Sequence, residues 1–399
     1  MISKMAFRNL KRNKGRTIVV LISISVAVLF ACIMLSLING MIESYLNNYK
    51  NFQYGDIRIA NDKFFEREQY MPIKYTIDES VADSIRGIDG ITDISKRIKM
   101  PVLIGVGKES ESIILFGVDL NSDKKILKLE RSIKEGNLPN EGRTCIIGEN
   151  LAKKMNIKTG DSILIVGSDR FMSLNAVKLV VSGIFDVDIP YFNRKFIVTS
   201  YKNTQILGRL GKKVTEIMVF TKGNYHKIAE EIDKKIPENA KAVTIDKSGG
   251  MYVWMKLALI IYQFMSVIII FLGAMVIVNT MLMVVHERKR EIGTLKAMGM
   301  TDREVEKLFM IEAFYMGTVG SFIGVIAGGF ASYSLSKYGM NFSALFKKVE
   351  FMFNSHMYGE FSIPVLIGMF FVGVIVATFV TYLPVKSEVS KEVVDLLER

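Results

Sequence analysis

Cysteine is nearly absent: Cys32 and Cys145 are the only two in 399 residues. The first sits in an apolar run near the N-terminus and the second in a polar central segment. They are not expected to meet, so no disulfide framework holds this chain together. Histidine is almost as scarce. His226, His286 and His356 are the whole complement, which excludes a His-rich metal site and leaves little material for a catalytic triad. A phosphate-binding loop is also missing. The nearest segment, Ile104-Gly105-Val106-Gly107-Lys108-Glu109-Ser110, would need Gly at 102 and Ser or Thr at 109, where Val102 and Glu109 stand. The acidic residues are scattered and read as a solvated face rather than a carboxylate pair. No catalytic residue, no metal site and no cofactor is expected within the chain.

Long apolar runs are what the chain has instead. Half of its residues are hydrophobic, and they are concentrated in windows that reach the roughly 20 residues needed to cross a bilayer. The expected fold is an α-helical membrane protein with four transmembrane helices, plus a mixed α+β extracytoplasmic domain between helices 1 and 2. A basic N-terminus, 1–16, precedes the first helix, 17–40. The outer domain covers 41–256 and the second helix 257–285. A polar knuckle at 286–307 leads to the third helix, 308–335. A loop, 336–362, then joins it to the fourth helix, 363–383, and a tail, 384–399. The first run exceeds a signal-peptide core and no small-x-small cleavage site follows it, so it reads as an anchor.

Charge sets the orientation. Lys4, Arg8, Lys11, Arg12, Lys14 and Arg16 crowd the first sixteen residues with no acid among them. The knuckle carries Arg288, Lys289, Arg290, Lys296, Arg303 and Lys307, whereas 336–362 has only Lys337, Lys347 and Lys348. The positive-inside bias puts both termini and the knuckle in the cytoplasm and 41–256 outside. The net charge of +12 therefore reflects membrane topology and contact with anionic lipid, and nucleic acid is not an expected partner.

Within the outer segment, Asp56-Ile57-Arg58-Ile59, Ser162 to Val166 and Lys178 to Phe185 read as strands. Glu149 to Met155 reads as a short helix. Tyr225 to Lys235 has helical spacing, with Ile228, Ile232 and Ile236 four apart. At roughly 215 residues it can build its own core, in one or two subdomains.

The knuckle is the most informative stretch. His286 to Gly299 is charged and helix-prone, and Gly299 can end a helix in the left-handed conformation. Thr301 and Glu304 have the spacing of a capping box for the next helix. Ile292, Leu295 and Met298 recur as an apolar stripe, and Glu287, Arg288, Arg290, Glu291 and Lys296 form the polar remainder. A helix of this kind either lies on lipid or docks into a protein cleft. Its mixed charge and tight turn favour the cleft. Beyond it, Glu312 is expected as a boundary acid hydrogen-bonded to the knuckle. Gly317, Gly320, Gly324 and Gly328 put small residues on one helix face, either for packing within the chain or as a dimer seam.

With these residues in hand, the chain resembles the permeases of the FtsX/MacB-like ABC transporter family. Glu287 to Gly299 is similar to that family's E-x-[KR]-R-E-I-G-x-L-[KR]-A-x-G coupling segment, which adds Gly293 and Ala297 to the candidate residues. Glu312 with the following glycines resembles its third-helix start, Gly148 to Gly160-Asp161 its G-x-x-L-A…G-D element, and Pro384 the end of its fourth helix. The tail Glu392-Val393-Val394-Asp395-Leu396-Leu397 departs from the usual P-x-x-A-L ending. Leu37 to Met41 and Gly55 to Ile59 look most like the lipoprotein-releasing (LolC/LolE-like) branch.

The resemblance implies a permease without enzymatic activity, in an inner membrane. ATP and Mg would be bound by a separate P-loop ATPase subunit. Two permeases, identical or paralogous, would form a dimer, and the cargo would be lipoproteins passed to a periplasmic carrier. The alternatives are a MacB-like efflux permease for a small molecule or peptide, and a mechanotransmission module that activates a periplasmic partner.

Overall fold

The computed structural model describes residues 2–12, 14–106, 109–127, 129–248, 250–342 and 354–391. The tail motif 392–397, Lys347, Lys348, and Gly107 and Lys108 of the loop-like segment lie outside the described residues. The chain divides into a helical unit (Met1–Ile42, Leu257–Met340, Met357–Arg399) and a sheet unit (Glu43–Lys256, Asn341–His356). Asn341, Phe342 and Asn354 to His356, expected in a separate loop, group with the sheet unit.

Four helices in the described residues are long and apolar enough to cross a membrane. The first runs Lys14–Asn48 and continues as a π-helix, Tyr49–Tyr54. The others are Gly250–Glu287, Asp302–Tyr338 and Ile363–Val389. Each extends past its apolar window because helix propensity and tertiary contacts do not stop where hydropathy does. In the helical unit the third helix is the hub. A Cβ built on Gly320 would lie 2.9 Å from Ile24, on Gly324 2.7 Å from the Ser25 carbonyl oxygen, and on Gly328 2.7 Å from Cys32. Gly317 meets Ala377 of the fourth helix at 2.9 Å in the same construction. The glycine face is therefore filled by the chain's own first and fourth helices, and it has no room to be a dimer seam. Ser25 Oγ donates to the Gly320 carbonyl across this contact at 2.9 Å. Gly324→Ala is expected to force the two helices apart and cost about 1–3 kcal/mol. A thermal-unfolding curve of the purified protein in detergent reads this directly, and an unchanged midpoint would contradict the close seam. By contrast, the second helix exposes Ile260, Phe264, Val267 and Phe271 to surroundings, as a lipid-facing helix does.

The sheet unit is built around one long strand, Ile91–Val106. Its first half pairs with Glu216–Thr221, which continues to Ile57–Asn61 and Ala240–Thr244. Its second half pairs on one side with Glu109–Val118 and on the other with Ser162–Ser168. The chain of pairings then passes through Phe196–Ser200, Thr144–Gly148 and Leu174–Phe185 and returns to Ser162–Ser168. That ring closes a small barrel, which removes free strand edges. The barrel is mixed, with two parallel pairings, Glu109–Val118 with Phe196–Ser200 and Thr144–Gly148 with Leu174–Phe185. The predicted helices are Glu149–Met155 and Tyr225–Asp233, the latter burying Ile228 and Ile232. Ile104 to Val106 end the long strand and Glu109 and Ser110 begin its antiparallel partner.

Charges here are not all on a solvated face, which corrects the sequence expectation. Arg58, Arg97, Asp123 and Glu216 are all at most 2% exposed. Glu216 meets Arg58 at 3.2 Å and Lys99 at 3.0 Å, while Arg58 also reaches Glu68 at 2.6 Å. Arg97 pairs with Asp123 and donates to the Asn51 carbonyl of the π-helix at 2.7 Å. Burial alone would raise the Glu216 carboxyl, but Lys99 and Arg58 hold it below the ordinary carboxylate value. A depressed folded value stabilises the unit above that range, and the contribution is lost as pH falls through it.

Candidate coupling knuckle

The second long helix ends at Glu287, and Arg288, at φ −97° and ψ 12°, breaks the helical path. A short helix, Lys289–Ala297, follows. Its end is a Schellman turn: Met300 N–H donates to the Leu295 carbonyl at 3.1 Å and Gly299 N–H to the Lys296 carbonyl at 2.9 Å. Gly299 has φ +94°, the conformation such a turn requires at this position. On the far side, the Glu304 carboxylate accepts from the Thr301 backbone N–H and hydroxyl, both at 2.9 Å. One residue then starts the third helix at Asp302.

One face of the short helix is fastened to its own chain. Ile292 is fully buried and Leu295 8% exposed, packed with Val285, Val305, Leu308, Phe309 and Val385. Gly293 is buried beside them. Met298 departs from the expected stripe. It is 69% exposed, because the Schellman turn rotates the chain away after Ala297. Lys296 is also turned inward, donating to the Val389 and Lys391 carbonyls at 2.6 and 2.9 Å. It thereby satisfies orphan carbonyls at the end of the fourth helix.

Arg288 is the centre of the polar fastening. It is 6% exposed, pairs with the 1% exposed Glu312, and lies 4.5 Å from the Phe309 ring centroid. Its Nε donates to Glu291 at 2.8 Å. Burial alone would lower the guanidinium, but the Glu312 and Glu291 carboxylates hold it above its ordinary value. Asn9 Nδ2 donates to Glu312 at 2.8 Å, and Arg12 stands 3.9 Å from Glu291. Sequence reasoning missed Asn9, since nothing local signals a contact across 303 residues.

What remains outward is a ridge: Glu287, Arg290, Thr294, Ala297, Met298 and Gly299 are exposed. Arg290, Thr294 and Ala297 follow the three-to-four-residue helical repeat, and Met298 and Gly299 belong to the turn that ends it. The structure thus separates the predicted residues into two sets. Arg288, Glu291, Ile292, Gly293, Leu295, Lys296 and Glu312 hold the knuckle to the protein, and the ridge faces away. Among the described residues, no group of three or more His, Cys, Asp or Glu side chains could hold a metal ion.

Residues 17–235 match the MacB-like periplasmic core domain, and residues 263–393 match the FtsX-like permease C-terminal domain. The chain belongs to the FtsX/MacB-type ABC transporter permeases. It is thus a multi-pass membrane protein. The permease is 22% identical over 260 residues to the lipoprotein-releasing system transmembrane protein LolC of Xylella fastidiosa, covering 62% of this chain and 61% of that one. It therefore spans about three fifths of that relative's length. Over 397 residues it is 23% identical to an ABC transporter permease of Methanocaldococcus jannaschii, covering 95% and 94% of the two chains. The periplasmic region of MacB from Actinobacillus actinomycetemcomitans superimposes with a TM-score of 0.36 at 13% identity, over 51% of this permease and 94% of that region.

Proposed function

We propose that this permease is the membrane subunit of an ABC transporter whose P-loop ATPase is a separate chain, and that the ATPase docks on the knuckle ridge. In this reading ATP and Mg are held by that partner, and both termini and the knuckle are cytoplasmic. The sheet unit is periplasmic, and two permeases assemble with two ATPases in the inner membrane. The observation that carries the reading is the two-sidedness of the knuckle. A helix fastened by Ile292, Leu295, Arg288 and Lys296 transmits a push, while Arg290, Thr294 and Met298 offer a partner charge, a hydroxyl and an apolar anchor. A push does work only if the ATPase binds the two permease states with different affinities.

The likeness to LolC, together with the lipid-facing second helix, supports acylated lipoproteins as the cargo, released toward a periplasmic carrier. An acyl-anchored substrate can stay beside apolar helices throughout its transfer. Arg290→Glu is expected to lower permease-stimulated ATP hydrolysis at least tenfold while leaving the permease's own thermal midpoint unchanged. Stimulation at the parent level would remove the ridge from the interface. A mild-detergent pull-down with mass spectrometry identifies the cargo class. A P-loop ATPase retained with acylated lipoproteins supports release, an ATPase with a periplasmic adaptor moves the function to efflux, and no ATPase overturns the reading.

A further inference from the structure

The N-terminal helix, Ile2–Arg12, carries no acid in its sequence. Its inner face is set by buried Ala6 and by Asn9, which reaches Glu312. Ser3 Oγ meets the Tyr315 hydroxyl at 2.9 Å, and Phe7 stands edge-on to the Tyr315 ring. On the outer face Lys4, Arg8 and Arg12 are all exposed and lie four residues apart in one row. Phe7 sits beside that row and is 51% exposed.

A row of three like charges at i, i+4 and i+8, with no acid between them, works against the helix that bears it. Local conflicts of this kind mark positions selected for something other than stability. An anionic surface would reverse the sign of the effect. Arg12 stands five positions before Thr17, where the first apolar run begins, so the near end of the row lies close to the bilayer boundary. An exposed aromatic beside the cations suits the headgroup layer, where a ring can rest in the interface while charges meet phosphates.

We infer that Lys4, Arg8 and Arg12, with Phe7, form a binding strip for anionic phospholipid headgroups. The inference requires only that the first apolar helix enter the bilayer, and it holds whatever the cargo is. Its consequence reaches the knuckle. Asn9 and Arg12 are joined to Glu312 and Glu291, so a lipid that seats this helix also seats the acid pair that holds Arg288.

The test uses the full chain in nanodiscs. Trp254, the one tryptophan, is replaced by Phe, and Phe7→Trp places the reporter in the strip. Phosphatidylglycerol or phosphatidylcholine with brominated acyl chains is then included as a minor component of an otherwise zwitterionic disc. Strong quenching by the brominated phosphatidylglycerol and weak quenching by the brominated phosphatidylcholine is the expected result. Selectivity should fall about fivefold for each cation removed, as in Lys4→Gln and Arg8→Gln, and should fade in 1 M salt. The thermal midpoint of these variants, expected to be unchanged or slightly raised as a like-charge neighbour is removed, separates lost binding from lost folding. Equal quenching by both lipids overturns the headgroup site. Absence of quenching by either overturns it as well, and a strip that becomes protected only on adding the ATPase assigns the row to an acidic face of that subunit instead. The assay needs neither ATP nor cargo, so its failure is distinct from failure of the transport reading.

Discussion

Arg288→Met is expected to be the most damaging single change in the helical unit. It removes the cation and leaves Glu312, 1% exposed, with Asn9 as its remaining side-chain donor. Removing one partner of a buried pair costs about 3–5 kcal/mol, chiefly because an uncompensated charge stays behind. The knuckle helix would lose its central fastening, so permease-stimulated ATP hydrolysis should fall along with the thermal midpoint. The double variant Arg288→Met with Glu312→Leu removes both charges and should regain most of the stability, since an apolar pair of similar size avoids the desolvation penalty. It should not regain full coupling, because the link to Glu291 is gone. A single-variant loss below about 1 kcal/mol, well under the cost of orphaning a buried partner, would mean that the pair is not what locks the knuckle.

Arg97→Met should do comparable harm in the sheet unit. Arg97 and Asp123 are both 0% exposed, and among the described residues Asp123 would keep the Ser95 hydroxyl and the Asp119 N–H as donors. The π-helix would lose its tie from Arg97 to the Asn51 carbonyl as well. The expected penalty is again about 3–5 kcal/mol, which for a unit of this size lowers the midpoint by roughly 6–20 °C. Circular dichroism melts of the purified permease would show it as an early transition of β-structure. A midpoint within about 2 °C of the parent would show the cluster to be stabilised by its backbone contacts rather than by charge pairing.

The apolar helices were legible because hydropathy is a one-dimensional signal, and the strand at Leu174–Phe185 because its β-branched run is dense. The long strand Ile91–Val106 escaped notice. Thr92, Asp93, Ser95, Lys96, Arg97 and Lys99 look like surface, and Pro101 looks like a break. Thr92 and Asp93 do stay exposed, but only the folded partners, Asp123 and Glu216, explain why Ser95, Arg97 and Lys99 turn inward. The glycine spacing on the third helix was readable, yet its partner was not, because spacing fixes a face and says nothing about what covers it. The knuckle turn was read from Gly299, Thr301 and Glu304, whose roles are local. Met298 was misplaced because the periodicity was extended one turn beyond the point where the Schellman turn ends it.

The contact between Asn9 and Glu312 also imposes an order on biogenesis. The two residues lie 303 positions apart, so at 5–20 residues per second the N-terminal helix waits roughly 15–60 s for its acid to be synthesised. Arg288 precedes Glu312 by only 24 positions, a delay of a second or a few at the same rate. The acid therefore emerges with its cation already made, and the ribosome delivers the pair to the membrane as a near-neutral unit. The N-terminal helix closes over it last, so a nascent chain arrested before the third helix should leave that helix undocked.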